Sequence, residues 1–283
     1  MAACHGDERN RPIAEVGNTS WKANLLMALH EHTQFSRNGE ATNNAGSMSN
    51  GWNQSASAWI ASMGERGDWA RQHVLDPIML ERVSARRFEC ALDVGCGEGR
   101  FCRMLKERQI PAVGIDPTSE LVARAKKLDP NGQYHLARAE LLPFPERSFD
   151  LVISYLTLID IADFRKAVTE MVRVLKRDGT LLIANVNSFI TSSPTGWVRD
   201  PDGRYLHYPV DRYLDEFPEW VEWAGIRIEN WHRPLASYMR EFLAHSLMLT
   251  FFDEPLPVSG DPARQARHRR APWFMVMEWS RTK

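Results

Sequence analysis

The chain has 283 residues, 43% of them hydrophobic, and its 35 Lys plus Arg against 36 Asp plus Glu leave a formal net charge of -1. That length suits one large core with an elaboration, and the balanced charge excludes the basic excess by which proteins grip a nucleic acid backbone. No apolar run approaches the roughly 18 residues a membrane span needs, and the polar stretch Met1 to Arg11 is unlike a secretion signal.

The four cysteines, Cys4, Cys90, Cys96 and Cys102, form no C-x-x-C pair, so no metal site and a reducing, cytoplasmic setting are expected. Residues 1 to 18 read as a tail. Trp21, Leu25, Ala28, Leu29 and His32 recur at helical spacing, and Arg37 to Asn50, rich in Asn, Ser and Gly, reads as a linker. Ser55 to Val83 is helical again, interrupted at Gly64 to Gly67 and restarted by Asp68 as an N-cap.

From there the pattern alternates: strand 88–94, helix 99–108, strand 112–116, helix 119–128, strand 134–138, strand 150–154, helix 163–175 and strand 180–185. Phe101, Met104 and Leu105 make one apolar helical stripe, and Phe164, Ala167, Val168, Met171 and Leu175 another. Alternation of this kind predicts an α/β fold with a parallel sheet joined by right-handed crossovers. After Asn185 an aromatic, Pro- and Gly-containing stretch runs to Arg233 and reads as an inserted cap. A helix near 235–244 and strands near 247–252 and 273–279 follow, the last two expected as a closing antiparallel pair.

The segment Ala91-Leu-Asp-Val-Gly-Cys-Gly-Glu-Gly-Arg100 places an acidic residue and three alternate glycines where a strand turns into a helix. Side chains at Gly95, Gly97 and Gly99 would block a tight turn and the close approach of backbone to a ligand. The spacing G-x-G-x-G differs from the dinucleotide fingerprint G-x-G-x-x-G, whose last glycine brings a helix N-terminus to a pyrophosphate, so a smaller, non-phosphorylated ligand is expected. Asp116 ends the second strand in Val113-Gly-Ile-Asp116, where a carboxylate can accept two hydroxyl donors at once.

Two further segments, Ala139-Glu-Leu-Leu-Pro-Phe-Pro-Glu-Arg-Ser-Phe-Asp150 and Arg173-Val-Leu-Lys-Arg-Asp-Gly-Thr-Leu-Leu-Ile183, follow in order. Together the four motifs resemble those of class I S-adenosylmethionine-dependent methyltransferases, within them the type 11 or UbiE-like small-molecule group, over roughly residues 50 to 280. The resemblance implies a Rossmann-like, seven-stranded, mostly parallel sheet with helices on both faces, an antiparallel final strand, an N-terminal helical lid and an inserted cap. It divides the chain into a tail and helix (1–50), a core with its lid (51–186 and 234–283) and a cap (187–233). It also implies S-adenosylmethionine as cofactor.

Under that resemblance Asp93, Gly95, Cys96, Gly97 and Gly99 lie against the methionine moiety, Asp116 and Pro117 at the ribose, and Ala139 and Glu140 at the adenine. Tyr155 at the exit of the fourth strand, with Trp59 and Arg71 of the lid, completes the expected cofactor set; Thr157 is a further candidate at that exit. Two positions depart from the family pattern: Arg138 stands where a carboxylate usually precedes Ala139, and Arg177-Asp178 replaces Pro-Gly in a turn.

Cap residues His207, Tyr208, Tyr213, Trp220, Trp223, Trp231 and His232 concentrate aromatic area and two imidazoles, as a substrate pocket would. Trp231-His-Arg-Pro-Leu-Ala-Ser-Tyr238 resembles the family segment leading out of the cap, which makes His232, then His207 and Tyr208, the expected catalytic groups, a neutral imidazole being a suitable base. The cluster Arg264, Arg267, His268, Arg269 and Arg270 reads as a solvated loop. The expected activity is methyl transfer to O, N or C of a small, partly aromatic metabolite, with no nucleic acid or membrane partner and a homodimer left open. A nicotinamide oxidoreductase and a non-catalytic cofactor-binding scaffold are the alternatives.

Overall fold

A computed structural model describes residues 50–281; the expected helix around Trp21 to His32, most of the linker and Cys4 lie outside them. Eleven strands and eight α-helices follow in chain order among the described residues. The N-terminal part is helical: α1 (Trp52–Met63), a π-helical turn at Arg71–Leu75, and α2 (Asp76–Ser84). Asp68 restarts the chain after the Gly64–Gly67 break, its Oδ1 accepting the Arg71 amide at 2.8 Å as an N-cap does.

The core elements are β1 (Ala91–Val94), α3 (Arg100–Glu107), β2 (Ala112–Asp116), α4 (Ser119–Leu128), β3 (Gln133–Leu136), β4 (Phe149–Tyr155), α5 (Phe164–Val174) and β5 (Leu175–Val186). Then come α6 (Ser188–Thr191), β6 (Val198–Arg199), β7 (Tyr205–His207), β8 (Phe217–Trp223) and β9 (Ile226–His232). The chain closes with α7 (Leu235–Ala244), β10 (Leu247–Asp253), α8 (Pro262–His268) and β11 (Phe274–Arg281).

One seven-stranded sheet runs β10-β11-β5-β4-β1-β2-β3, with β1 to β5 parallel and β11 antiparallel to both β5 and β10. The order reverses between β1 and β4, which leaves a crevice beyond their carboxyl ends. Side chains alternate across the sheet: Leu92 and Val94 face a core filled by Phe164, Met171, Tyr238 and Phe242 from α5 and α7. Ala91 and Ile153 face the opposite core, filled by Met79, Val83, Phe101 and Leu105 from α2 and α3. Each such fully buried side chain contributes roughly 1.5–3 kcal/mol of transfer free energy. No helix of the described residues is long and apolar enough to cross a membrane.

Local chemistry explains where the observed ends depart from the expected ones. The strand expected from residue 88 begins at Ala91, because the Glu89 and Cys90 amides donate to the side chain of Asp150 at 2.7 and 3.0 Å instead of to a neighbouring strand. The helix expected to reach Leu175 stops at Val174, where the backbone turns extended and Leu175 pairs with Phe149. β5 thus starts five residues early and carries an irregularity around Asp178, which holds a φ of 59° at the turn where the sequence lacks Pro-Gly.

The stretch after Asn185 is more regular than expected. β8 and β9 form an antiparallel hairpin through Ala224 and Gly225, at φ of 45° and 78°, the doubly left-handed turn that suits a two-residue hairpin loop. Its inner face, Val221, Trp223, Ile226 and Ile228, packs on Trp52, Ala58 and Trp59 of α1 as a satellite core. Ser55 Oγ fastens the two by donating to the Arg227 carbonyl at 3.0 Å and accepting the Arg227 amide at 2.9 Å. The arginine-rich segment expected as a solvated loop is the helix α8 and the turn after it; Arg267 and His268 are buried in the helix, and Arg270 in the turn donates to the Tyr205 and Leu206 carbonyls.

Candidate active site

The glycine turn joins β1 to α3 at the sheet's crevice. Its glycines serve two different needs. A Cβ on Gly95 would lie 2.2 Å from Thr157 Cγ2, and one on Gly99 would lie 2.5 Å from the Tyr134 ring, so protein packing already demands glycine at both. A Cβ on Gly97 would meet nothing within 4 Å, although the residue holds a φ of +55°. Only there does the turn present bare backbone to open space.

Asp116 is buried behind this turn. Its Oδ2 accepts the Gly97 amide at 3.0 Å and its Oδ1 the Thr118 amide at 2.8 Å, so the end of β2 braces the glycine loop. Burial pushes the carboxyl above its ordinary range, while these amide donors favour the charged form and hold it down. Each oxygen keeps a further lone pair for a ligand hydroxyl. Pro117 beside it is exposed.

Asp93 lies deeper, at 1% exposure, where burial first and then the charge of Asp116 raise its pKa to about 7 against the opposing hydrogen bond from Cys102. Its Oδ2 takes the weak Cys102 Sγ donor at 3.5 Å, and its Oδ1 has no hydrogen-bond partner among the described residues. A buried carboxylate oxygen without a donor is costly, and an N–H or ammonium group would satisfy it. This orphaned acceptor and the open space at Gly97 fit an amino-acid-bearing nucleoside at the turn.

Several expected cofactor residues have other work. Cys96 is buried with its Sγ against Gly114 and is a packing group. The Tyr155 hydroxyl, buried, donates to Asp76 Oδ1 at 2.9 Å, while Arg100 pairs with both oxygens of the same carboxylate. That network ties α2, α3 and β4 beneath the crevice and leaves the Tyr155 hydroxyl committed within the protein. Ala139, expected at the adenine, is buried, and the Glu140 side chain pairs with Arg138 at 2.7 Å, so the departure at Arg138 engages the group expected to replace the missing carboxylate.

Beside the glycine turn a cleft of about 620 Å³, open mouth included, lies between α1, the π turn, the exit of β4 and the β8–β9 hairpin. Trp52, Trp59, Trp223 and Trp273 line it with Leu156, Asp68, Arg71, Asp160 and Asn230. Trp52 and Trp59 meet edge to face at 5.0 Å, Trp59 and Trp223 at 6.5 Å. The Arg71 guanidinium stacks over Trp59 at 4.9 Å and forms an ion pair with Asp68. Leu156 holds a left-handed φ of 57° at the cleft floor, fixed by its amide donating to Ala184 O at 2.8 Å. Such strain persists only where the surroundings impose it.

The expected catalytic trio does not converge on this cleft. His232 is fully buried, with Nδ1 2.6 Å from Thr191 Oγ1, Nε2 2.9 Å from the Tyr213 carbonyl, and Phe217 tilted against its ring at 5.0 Å. Both ring nitrogens are engaged, so it braces the hairpin base and cannot reach an acceptor. His207 is exposed on β7, and Tyr208 packs between Trp197 and Trp273 with its hydroxyl 3.5 Å from Ile190 O. Of the expected cap aromatics only Trp223 lines the cleft; Trp220 lies under Arg227 and Trp231 under Arg233.

Asp160, Asn230 and Trp273 are cleft residues that sequence reasoning missed. Asp160 closes the strand-exit segment Ser154-Tyr-Leu-Thr-Leu-Ile-Asp160, so its position at a carboxyl end was the available signal; Asn230 and Trp273 arrive from distant chain and gave none.

Residues 92–183 match the model of a methyltransferase domain. That stretch, from β1 to the middle of β5, is the methyltransferase domain of the chain. The chain is 33% identical over 147 residues to an uncharacterized methyltransferase, YcgJ, of Bacillus subtilis, covering 50% of this chain and 49% of that protein. The structure of a putative S-adenosylmethionine-dependent methyltransferase from Listeria monocytogenes superimposes with a TM-score of 0.63 at 25% identity, covering 69% of this chain and 90% of that one. That of an S-adenosylmethionine-dependent methyltransferase from Mesorhizobium loti gives 0.64 at 23%, covering 77% and 100%. The chain spans about half the length, or less, of the first curated relatives it matches. Its seven-stranded, mostly parallel sheet with β11 antiparallel beside β5 is the architecture the four motifs implied.

Proposed function

We propose that this chain transfers a methyl group from S-adenosylmethionine to O, N or C of a small, partly aromatic metabolite bound in the tryptophan-walled cleft. The observation that carries the reading is the adjacency of glycine turn and cleft: Thr157, packed against Gly95, sits in the same β4 exit that supplies Leu156 and Asp160 to the cleft.

The cofactor supplies a methyl group already activated on a sulfonium, so the protein's task is chiefly to align the acceptor with it and exclude water. In this reading Asp93 holds the amino end, Gly97 allows backbone approach, Asp116 takes the ribose hydroxyls, and Arg71 and Trp59 close over the methionine tail. Segment 187–233 acts as a cap over a core of 51–186 and 234–283, the hairpin β8–β9 and α1 together forming the lid. The type 11 or UbiE-like small-molecule group is the proposed relation within the class, and the net charge of -1 favours a small acceptor over a nucleic acid.

Calorimetric titration with S-adenosylmethionine, followed by mass spectrometry of a metabolite extract incubated with the protein and methyl-labelled cofactor, tests the proposal. Cofactor binding with label appearing in one small product is expected. Absence of cofactor binding overturns it.

A further inference from the structure

Three ionisable residues line the cleft, and their charges do not balance. Asp68 and Arg71 neutralise one another in a part-buried ion pair. Asp160 is left with neutral donors only: the Asn230 side-chain amide donates to its Oδ1, and the Trp52 indole N–H to the carboxylate. No ion pair reaches it among the described residues. Burial drives its carboxyl well above the ordinary range and the charge of Asp116 adds to the effect, against the opposing pull of Trp52, Asn230 and, more weakly, Arg71. When ionised, a carboxylate so placed is short of one positive charge, and a cationic ligand both brings that charge and favours the ionised form.

The walls suit a cation. Trp52, Trp59 and Trp223 meet at near right angles, at 80° and 83°, and present faces and edges round the carboxylate rather than a flat stack. Arg71 already uses the Trp59 ring in this way, at 4.9 Å. An ammonium against the remaining indoles gains both the ring quadrupole and the opposite charge. A neutral hydroxyl compound gains neither, and a carboxylic acid is repelled.

We propose that the methyl acceptor is an apolar amine, its nitrogen held by Asp160 and its carbon body against Trp52 and Trp223. This deepens the methyl-transfer reading and rests on it. When the amine enters protonated, an N–H bond breaks and an O–H bond forms on Asp160. The freed nitrogen pair bonds to the methyl carbon while the C–S bond breaks, its electron pair leaving with the sulfur of S-adenosylhomocysteine. A carboxylate whose proton affinity is raised by burial accepts that proton closer to neutral pH than an ordinary one.

The test titrates the full chain at neutral pH, with and without saturating S-adenosylhomocysteine, with 2-phenylethylamine and with its neutral counterpart 2-phenylethanol, read by tryptophan fluorescence and calorimetry. With S-adenosylhomocysteine bound, the amine is expected to bind about tenfold or more tightly than the alcohol. In Asp160→Asn the preference is expected to vanish while S-adenosylhomocysteine affinity persists. Equal affinity of the two compounds for the unaltered chain, including failure of both to bind, overturns the proposal without needing a variant. So does a preference that survives in Asp160→Asn. A preference lost once S-adenosylhomocysteine fills the site also overturns it, because Asp160 then serves the ammonium of the cofactor. Failure of S-adenosylhomocysteine itself to bind refutes instead the underlying methyl-transfer reading.

Discussion

The amide of Gly97 donates to Asp116 Oδ2 at 3.0 Å, so the one glycine of the turn that faces open space is held in place by the carboxylate that ends the neighbouring strand. Cofactor-side geometry at β1 and β2 is therefore a single unit. Asp116→Ala removes the brace and both acceptor oxygens together. Hydrogen bonds to a charged group are worth about 1.5–3 kcal/mol each, so S-adenosylhomocysteine affinity is expected to fall about tenfold or more. Calorimetry on the variant checks this, and an unchanged affinity removes Asp116 from the site.

Gly95 and Gly97 are expected to separate folding from binding. Gly97→Ala pays the left-handed backbone penalty of about 1–2 kcal/mol and meets no neighbour, so the chain folds but backbone approach by the cofactor is blocked. Gly95→Ala adds a methyl group 2.2 Å from Thr157 Cγ2 at a φ of +76° and loses stability well beyond that penalty. Urea denaturation and S-adenosylhomocysteine titration of both variants check the split. Equal destabilisation with equal binding loss would contradict it.

The order of the core was legible because its signals are local. The stripes of α3 and α5, the apolar strands between them and the glycine turn each declare themselves within a dozen residues, and alternation of strand and helix then leaves few topologies. The β8–β9 hairpin hid behind an Ala224-Gly225 turn, in which alanine occupies a position usually signalled by Asn or Asp, although Ile226-Arg-Ile-Glu-Asn-Trp-His232 does alternate buried and less buried residues. The cleft was least legible. Its walls come from α1, β4, β9 and the start of β11, and no local pattern says that Trp52, Asp160 and Asn230 meet. His232 misled for the complementary reason: an imidazole beside aromatic residues looks the same in sequence whether its nitrogens are free or, as here, taken by Thr191 and Tyr213.

The Asp76 carboxylate is the shared partner of Arg100 and Tyr155; Asp76 and Tyr155 are buried and Arg100 half-buried under the crevice. Asp76→Ala strands a guanidinium and a hydroxyl at once, and a broken buried pair costs about 3–5 kcal/mol. Tyr155→Phe removes only one hydroxyl, leaves Asp76 with Arg100, and is expected to cost about 1–2 kcal/mol. Chemical denaturation of the two variants gives the ratio. A Tyr155→Phe effect confined to cofactor affinity, with stability unchanged, would return the hydroxyl to the cofactor set.

Asp93 supplies a pH test with a definite sign. Its pKa is about 7 in the folded chain, against about 3.9 for an unfolded aspartate. Below pH 4 both states are protonated and the contribution to stability is fully present. As pH rises the unfolded state releases its proton first, so stability falls through the window from about 4 to 7, by about 4 kcal/mol as an upper bound. Asp93→Asn cannot titrate, and its stability relative to the unaltered protein is expected to climb across that window. Burial-raised groups such as Asp116 remain in both proteins and cancel in the difference. S-adenosylmethionine, by bringing a donor to the orphaned Oδ1, is expected to stabilise the unaltered protein more at pH 8 than at pH 5, and to do so less in Asp93→Asn. Thermal unfolding at pH 5, 6, 7 and 8, with and without cofactor, measures both effects, and parallel curves for the two proteins would show that Asp93 carries no buried charge.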